Sequence, residues 1–204
     1  DPDFLKFQQE ARQTEQAPYS VVTHNCEIQL LQTRGKNRYA AFIVKESEAI
    51  TYTYERNPED PRIAHTLNIE TDELGNVLEA VSVVYPRLKT EEILKDATTD
   101  SVAARKAKAA ARQGQQKQWI TFTKNEVTND LIAPEHYYLR KGWQTQTYEL
   151  TGLKPTAKIF TVPEFKGKVD ALTEIQYFEK AADGVVQKRL IEHVKTKFYN
   201  ADLT

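Results

Sequence analysis

A chain of 204 residues with 28 Lys and Arg against 29 Asp and Glu carries a formal net charge of −1, long enough for a real core and balanced in sign. That balance argues against a nucleic-acid or anionic-membrane surface as the main partner. The one cysteine, Cys26, excludes an internal disulfide, and no apolar run approaches the ~18 residues that span a bilayer.

Residues 1–20 read as a polar, Gln-rich lead-in whose sizeable apolar anchors are Phe4, Leu5 and Phe7, with room for one helical turn. From residue 21 to 204 the pattern is that of a single β-rich segment. Val21 to Thr33 is strand-like, and Arg34-Gly35-Lys36-Asn37 supplies a hairpin loop. Arg38 to Lys45 forms the returning strand. Glu46-Ser47-Glu48 is expected to break it before a new strand starts at Ala49. Pro58 and Pro61 cannot donate to a ladder, so the stretch from Tyr54 to Ile63 must be a corner or an edge. Leu67, Ile69 and Thr71 then alternate against Asn68 and Glu70. Asp72 to Asn76 is a turn, with Gly75 the residue that accepts positive φ, and Val77 to Tyr85 is strand again.

After Arg87 the character changes. Thr90 to Lys95 suits a short helix, and the Ala-rich run Thr98 to Gln118 is the best helix by propensity, so a helical insert is expected over residues 90–117. Val102 is the only large apolar residue of the run Thr98 to Gln118, which leaves that helix without a stripe to bury. Trp119 to Val127 and Trp143 to Leu150 read as strands, with a loop from Asn129 to Glu135. A helical turn is expected over Phe165 to Leu172 and a strand over Glu174 to Glu179. Ala182-Asp183-Gly184 is a turn into Val185 to Tyr199, where Val186, Leu190, Val194 and Phe198 recur at helical spacing. The preceding turn and the aromatic finish favour a strand there. The fold class that results is mainly β, an antiparallel sheet of consecutive hairpins with one Ala-rich helical insert.

Little in the chain is arranged for chemistry. His24 and Cys26 would share a strand face, but two ligands do not make a zinc site, and His65, His136 and His193 are isolated. Glu46-Ser47-Glu48 matches the Glu-x-Glu of arginine-targeting ADP-ribosyltransferases, a pattern frequent in charged loops. Arg105, Lys106, Lys108 and Arg112 lack interleaved aromatics and follow a run of acids, so a solvated face fits better than a phosphate track. Glu55, Arg56, Asp60 and Arg62 crowd beside Tyr52 and Tyr54, either as a binding site or as a corner held by Arg–carboxylate forks. The chain has no methionine and opens on Asp1-Pro2, so it is expected to be an excerpt of a longer polypeptide.

Several ordered stretches, spanning about Cys26 to Thr204, resemble one family. They are Tyr54-Glu55-Arg56-Asn57-Pro58-Glu59-Asp60-Pro61-Arg62-Ile63-Ala64-His65, Asp72-Glu73-Leu74-Gly75-Asn76-Val77 and Tyr85-Pro86-Arg87. Phe122 to Asn129, Tyr148-Glu149-Leu150-Thr151-Gly152 and Arg189-Leu190-Ile191-Glu192-His193 follow in order. The set is similar to the B component (TcdB/TcaC-like, with SpvB-type relatives) of bacterial insecticidal Tc toxin complexes. Lys195-Thr196-Lys197 departs from the family pattern, which would carry Arg and an apolar residue there, and the Ala-rich insert is atypical.

The resemblance implies a segment of an Rhs/YD-repeat-like β-sheet shell enclosing a toxic effector, with Asp72-x-x-Gly75-Asn76 as a YD-type turn. It implies a C component as shell partner and cargo, and an A-component channel engaged through other parts of the chain. It also implies secretion or display on the bacterial surface after cytoplasmic synthesis. Neither catalysis, cofactor, metal, nucleic acid nor membrane insertion by this segment is expected. Tyr54, Glu55, Arg56, Asp60, Pro61, Arg62, His65, Asp72, Gly75, Asn76, Tyr148, Glu149, Gly152, Arg189, Glu192 and His193 are then structural positions. Two alternatives stay open: an independent β-sandwich adhesion or ligand-binding module with tyrosines lining a groove, and an ADP-ribosyltransferase fragment.

Overall fold

Apolar alternation is strongest where the backbone is most regular. In the computed structural model, which describes residues 5–6, 18–54 and 58–199, strand β3 (Arg62–Thr71) buries His65, Leu67 and Ile69 and turns Ala64, Thr66 and Glu70 outward. That is the two-residue period of a strand with one covered face. The other strands are β1 (Ser20–Gln32), β2 (Ala41–Thr53), β4 (Val77–Val84), β5 (Trp119–Val127), β6 (Leu131–Ala133), β7 (His136–Tyr138), β8 (Gly142–Thr151), β9 (Thr173–Ile175) and β10 (Gln187–Lys195). Three helices, α1 (Thr90–Ile93), α2 (Val102–Gln115) and α3 (Val162–Phe165), complete the described elements.

The described residues fall into two units, one within Asp1–His24, Ala49–His65 and Val83–Trp119, the other within Asn25–Glu48, Thr66–Ser82 and Ile120–Thr204. The first holds strand ends, α1 and α2, and buries Ile50, His65, Val83, Tyr85, Asp60 and Thr90. Helix α2 has no buried residue. Polar contacts hold it instead: Arg112 donates to the Leu94 carbonyl and to Asp96, and Lys108 to Asp100 at 2.6 Å. Ser101 caps it by accepting from the Ala104 amide. The insert comprises two helices with a turn between, as its two helix-forming runs imply.

The second unit holds the larger part of an eight-stranded sheet, whose hydrogen-bonded order is β1-β2-β3-β4-β5-β8-β10-β9, and a two-stranded sheet of β6 and β7. Leu67, Ile69, Val81, Ile120, Phe122, Leu150, Phe160, Phe165 and Val169 form its core. β5 and β8 pair antiparallel with Ile120 opposite Leu150 and Phe122 opposite Tyr148. β10 pairs with β8 on the other side and slips register between Leu190 and Glu192. The expected antiparallel β architecture is thus present, with one exception: β9 runs parallel to β10.

Four expectations need correction. Glu46-Ser47-Glu48 does not break β2, because neighbours on both sides satisfy it. Asn68 donates to the Glu46 carbonyl, the Ser47 hydroxyl to the Asn25 carbonyl, and the Asn25 amide to Glu48. The strand expected from Glu174 to Glu179 ends at Ile175, since the Glu179 carboxylate accepts from the Gln176 amide and closes a turn. The helical turn lies earlier than expected, at Val162–Phe165, where Glu164 accepts from the Thr161 amide and hydroxyl and from the Thr156 amide. The expected loop from Asn129 to Glu135 contains β6, which pairs with β7. The strand reading of the last run holds as β10.

Candidate functional site

The residues singled out from the sequence gather into three polar joints, two of them around a buried aspartate. In the first unit the Pro58–Pro61 corner delivers Asp60 to a fully buried position. Its Oδ2 accepts from Arg87 Nε at 2.9 Å and Nη2 at 2.7 Å, and its Oδ1 from the amides of Leu88 and Lys89 at 2.9 and 3.1 Å. Arg87 Nη2 also reaches the Asp60 carbonyl. Burial pushes the Asp60 carboxyl up, but the Arg87 guanidinium and the two amides outweigh it and hold it below the ordinary Asp range. Pro61 is buried beside it and Arg62 is exposed. His65, fully buried, meets the Tyr85 hydroxyl through Nδ1 at 3.0 Å. Tyr54 donates its amide to the Tyr19 carbonyl and stacks on Tyr52. Glu55 and Arg56 lie outside the described residues.

The second joint closes the β3–β4 turn. Asp72 Oδ1 accepts from the amides of Leu74 and Asn76 at 3.0 and 2.8 Å, and Oδ2 from the Asn76 side chain at 2.9 Å. Gly75 sits at φ 87°, where a side chain would be strained. Burial raises the Asp72 carboxyl, but the Asn76 and Leu74 donors and the Arg140 charge hold it below its ordinary value. Arg140 ties this turn to the base of the β6–β7 hairpin. It reaches Asp72 at 3.4 Å, Glu73 at 2.6 Å and Asp130 Oδ2 at 2.6 Å, and its amide donates to Asp130 Oδ1.

The third joint lies on β8 and β10, where register sets Glu149 opposite Arg189 and the two form an ion pair. Lys188 Nζ stands 5.4 Å from the Tyr148 ring centroid. Glu192 accepts from the Thr147 hydroxyl, and His193 is exposed opposite Gln146. Gly152, at φ 75°, lets the chain pass so near Val185 that an added Cβ would sit 2.2 Å from its carbonyl oxygen.

The carboxylates of Asp60, Asp72 and Glu149 are each taken up by guanidinium or amide donors. Among the described residues no three His, Cys, Asp or Glu side chains are grouped to hold a metal. Glu46 and Glu48 lie within a strand, Glu48 accepting from Asn25. The sequence cluster of Glu55, Arg56, Asp60 and Arg62 omitted the guanidinium that holds Asp60, Arg87, although Tyr85-Pro86-Arg87 was among the stretches that stood out. Arg140 and Asp130 gave no signal, because the meeting of Arg140 with the Asp72–Glu73 turn spans up to 68 positions.

Residues 6–139 match the family model described as the insecticide toxin TcdB middle/C-terminal region. The chain belongs to that family. Membership places it as a segment of a TcdB-like component of an insecticidal toxin complex. No curated protein matches.

Solved structures of TcdB-like toxin assemblies share its fold. The crystal structure of TcdB2-TccC3 is 22% identical with a TM-score of 0.52, and the same pair without its hypervariable C-terminal region is 23% identical with a TM-score of 0.51. A Photorhabdus luminescens Tc holotoxin pore carrying a TccC3 substitution also matches at 23% and 0.51. In each case 67% of this chain is covered but only 6% of the other. The TcdB-like segment thus spans a small part of the length of the chains it matches. Among its described residues no helix is long and apolar enough to cross a membrane.

Proposed function

We propose that this segment is wall material of a β-sheet shell that encloses a toxic effector until delivery. In this reading a C-type component is the shell partner and cargo, an A-type channel docks through other parts of the parent chain, and the assembly is secreted or surface-displayed. The segment contributes no catalysis and needs no cofactor; its sixteen motif residues act as joints.

The observation that carries the reading is strand β1. It is 13 residues long, lies at the end of the strand order, and is exposed at every position. Val22, Ile28, Leu30 and Leu31 are all exposed along it. A long edge with apolar side chains and no proline invites pairing, and natural proteins leave such an edge only where another chain segment covers it. The opposite end of the sheet is closed off by β9, which has three residues. Growth of the wall is therefore expected on the β1 side.

Hydrogen exchange tests this. The β1 amides that face away from β2 should exchange rapidly in the isolated chain and become strongly protected in the parent component assembled with its partner. Equal, rapid exchange of β1 in both would end the proposal.

A further inference from the structure

The tip of the β1–β2 hairpin is basic. From Ile28 to Lys45 it carries Arg34, Lys36, Arg38 and Lys45 and no Asp or Glu, although acids slightly outnumber bases overall. Lys45 is engaged, donating to the Asp72 carbonyl at 2.7 Å. The other three cations crowd the tip and are exposed. The tip is a formed structure. The Asn37 amide donates to the Arg34 carbonyl at 2.6 Å, the Asn37 side chain to the Thr33 carbonyl, and Gln32 to the Tyr39 carbonyl. The Arg38 guanidinium stands 5.2 Å from the centroid of Tyr39. Behind the tip Ile28, Leu30, Leu31, Phe42 and Val44 are between 49% and 66% exposed.

We infer that the neighbour pairing with β1 is a polypeptide strand that is apolar along its length and acidic where it passes the tip. This rests on the wall reading and adds the partner's chemistry to it. As the outermost described strand of its sheet, β1 offers an edge on which a strand can pair, and a backbone edge specifies a strand and nothing finer. The exposed apolar side chains specify apolar contacts. Three like charges close together repel one another, and carboxylates at the same level of the neighbour relieve that repulsion and fix register, because a displaced strand would leave them unmatched. Two of the three cations are arginines, whose planar fork suits carboxylates. A lipid surface would satisfy the charges but add no strand to the β1 edge, so the polypeptide is the occupant that meets both demands.

Zero-length carbodiimide coupling in the assembled parent component reads the contact directly. Lys36 should couple to an Asp or Glu outside the 204 residues, and Lys36→Arg should abolish the coupled peptide while leaving assembly intact. Joint reversal of Arg34, Lys36 and Arg38 to Glu should weaken retention of the neighbour about tenfold without moving the melting temperature of the isolated chain. If β1 amides are protected on assembly yet Lys36 couples to no carboxylate and the reversal changes nothing, this inference falls and the wall reading stands. If β1 stays unprotected on assembly, the wall reading itself falls. Cosedimentation with phosphatidylserine vesicles, lost in the triple variant and without any carboxylate coupling, would overturn the inference in favour of a lipid headgroup.

Discussion

Arg87 grips Asp60 from 27 positions away with Nε and Nη2 on a single carboxylate oxygen, while the other oxygen takes two backbone amides. The aspartate is wholly shielded and the arginine retains a little exposure. Removing one partner of such a pair strands the other. Asp60→Ala should therefore lower unfolding stability by about 3 kcal/mol, read from the shift in denaturant midpoint at constant slope. Arg87→Lys should recover only part of it, because an ammonium cannot reproduce the fork.

Acid should act through the same carboxylates. Asp60 and Asp72 are both held below the ordinary Asp value in the folded chain. A depressed acid contributes stability that is complete above its unfolded pKa of about 3.9 and drains away as pH falls through the lower folded value. Thermal unfolding should be flat with respect to these groups from neutral pH to about 5 and then decline below about 4. Asp60→Asn should flatten that decline, and an unchanged slope would count against the assignment.

Glu79 behaves in the opposite sense. Burial pushes its carboxyl up, Lys124 at 3.8 Å opposes this, and Asp170 and Glu70 add to it. A raised acid favours the folded state most when protonated and loses that contribution as pH rises through its folded value. Glu79→Gln should thus be neutral or stabilising by less than about 1 kcal/mol at neutral pH, measured by chemical denaturation. Lys124 keeps Asp170 as partner at 2.7 Å.

Two glycines should respond in opposite directions to alanine. Gly114 sits in α2 with open space around it, and Gly114→Ala should raise helicity by about 1 kcal/mol locally, seen by circular dichroism. Gly152→Ala places a methyl group against the Val185 carbonyl at positive φ and should cost more than about 2 kcal/mol.

What the sequence made legible follows from locality. The alternation of Leu67 and Ile69, the Asp72 turn with Gly75, and the exposed nature of the Ala-rich helix are set by residues within a few positions of one another. Glu149 and Arg189 stood out separately, yet only strand register places them opposite each other. Arg140 could not be found, because its meaning lies in a turn 68 positions earlier. β2 misled for the same reason: Glu46-Ser47-Glu48 is a poor strand alone, and side chains from Asn25 and Asn68 complete it. Glu55 and Arg56 lie outside the described residues, so their part in the corner stays an expectation.

The slip in pairing between Leu190 and Glu192 has a heritable consequence. Upstream of it Leu190 stands opposite Tyr148, and downstream Glu192 stands opposite Thr147, so Ile191 is a supernumerary residue that inverts which side each later side chain occupies. A codon deleted there would straighten the ladder and keep its last rungs, with Glu192 still opposite Thr147 and Val194 opposite Thr145. A strand that kept Ile191 but paired without the slip would exchange the two sides, presenting His193 and Lys195 where Val194 now stands.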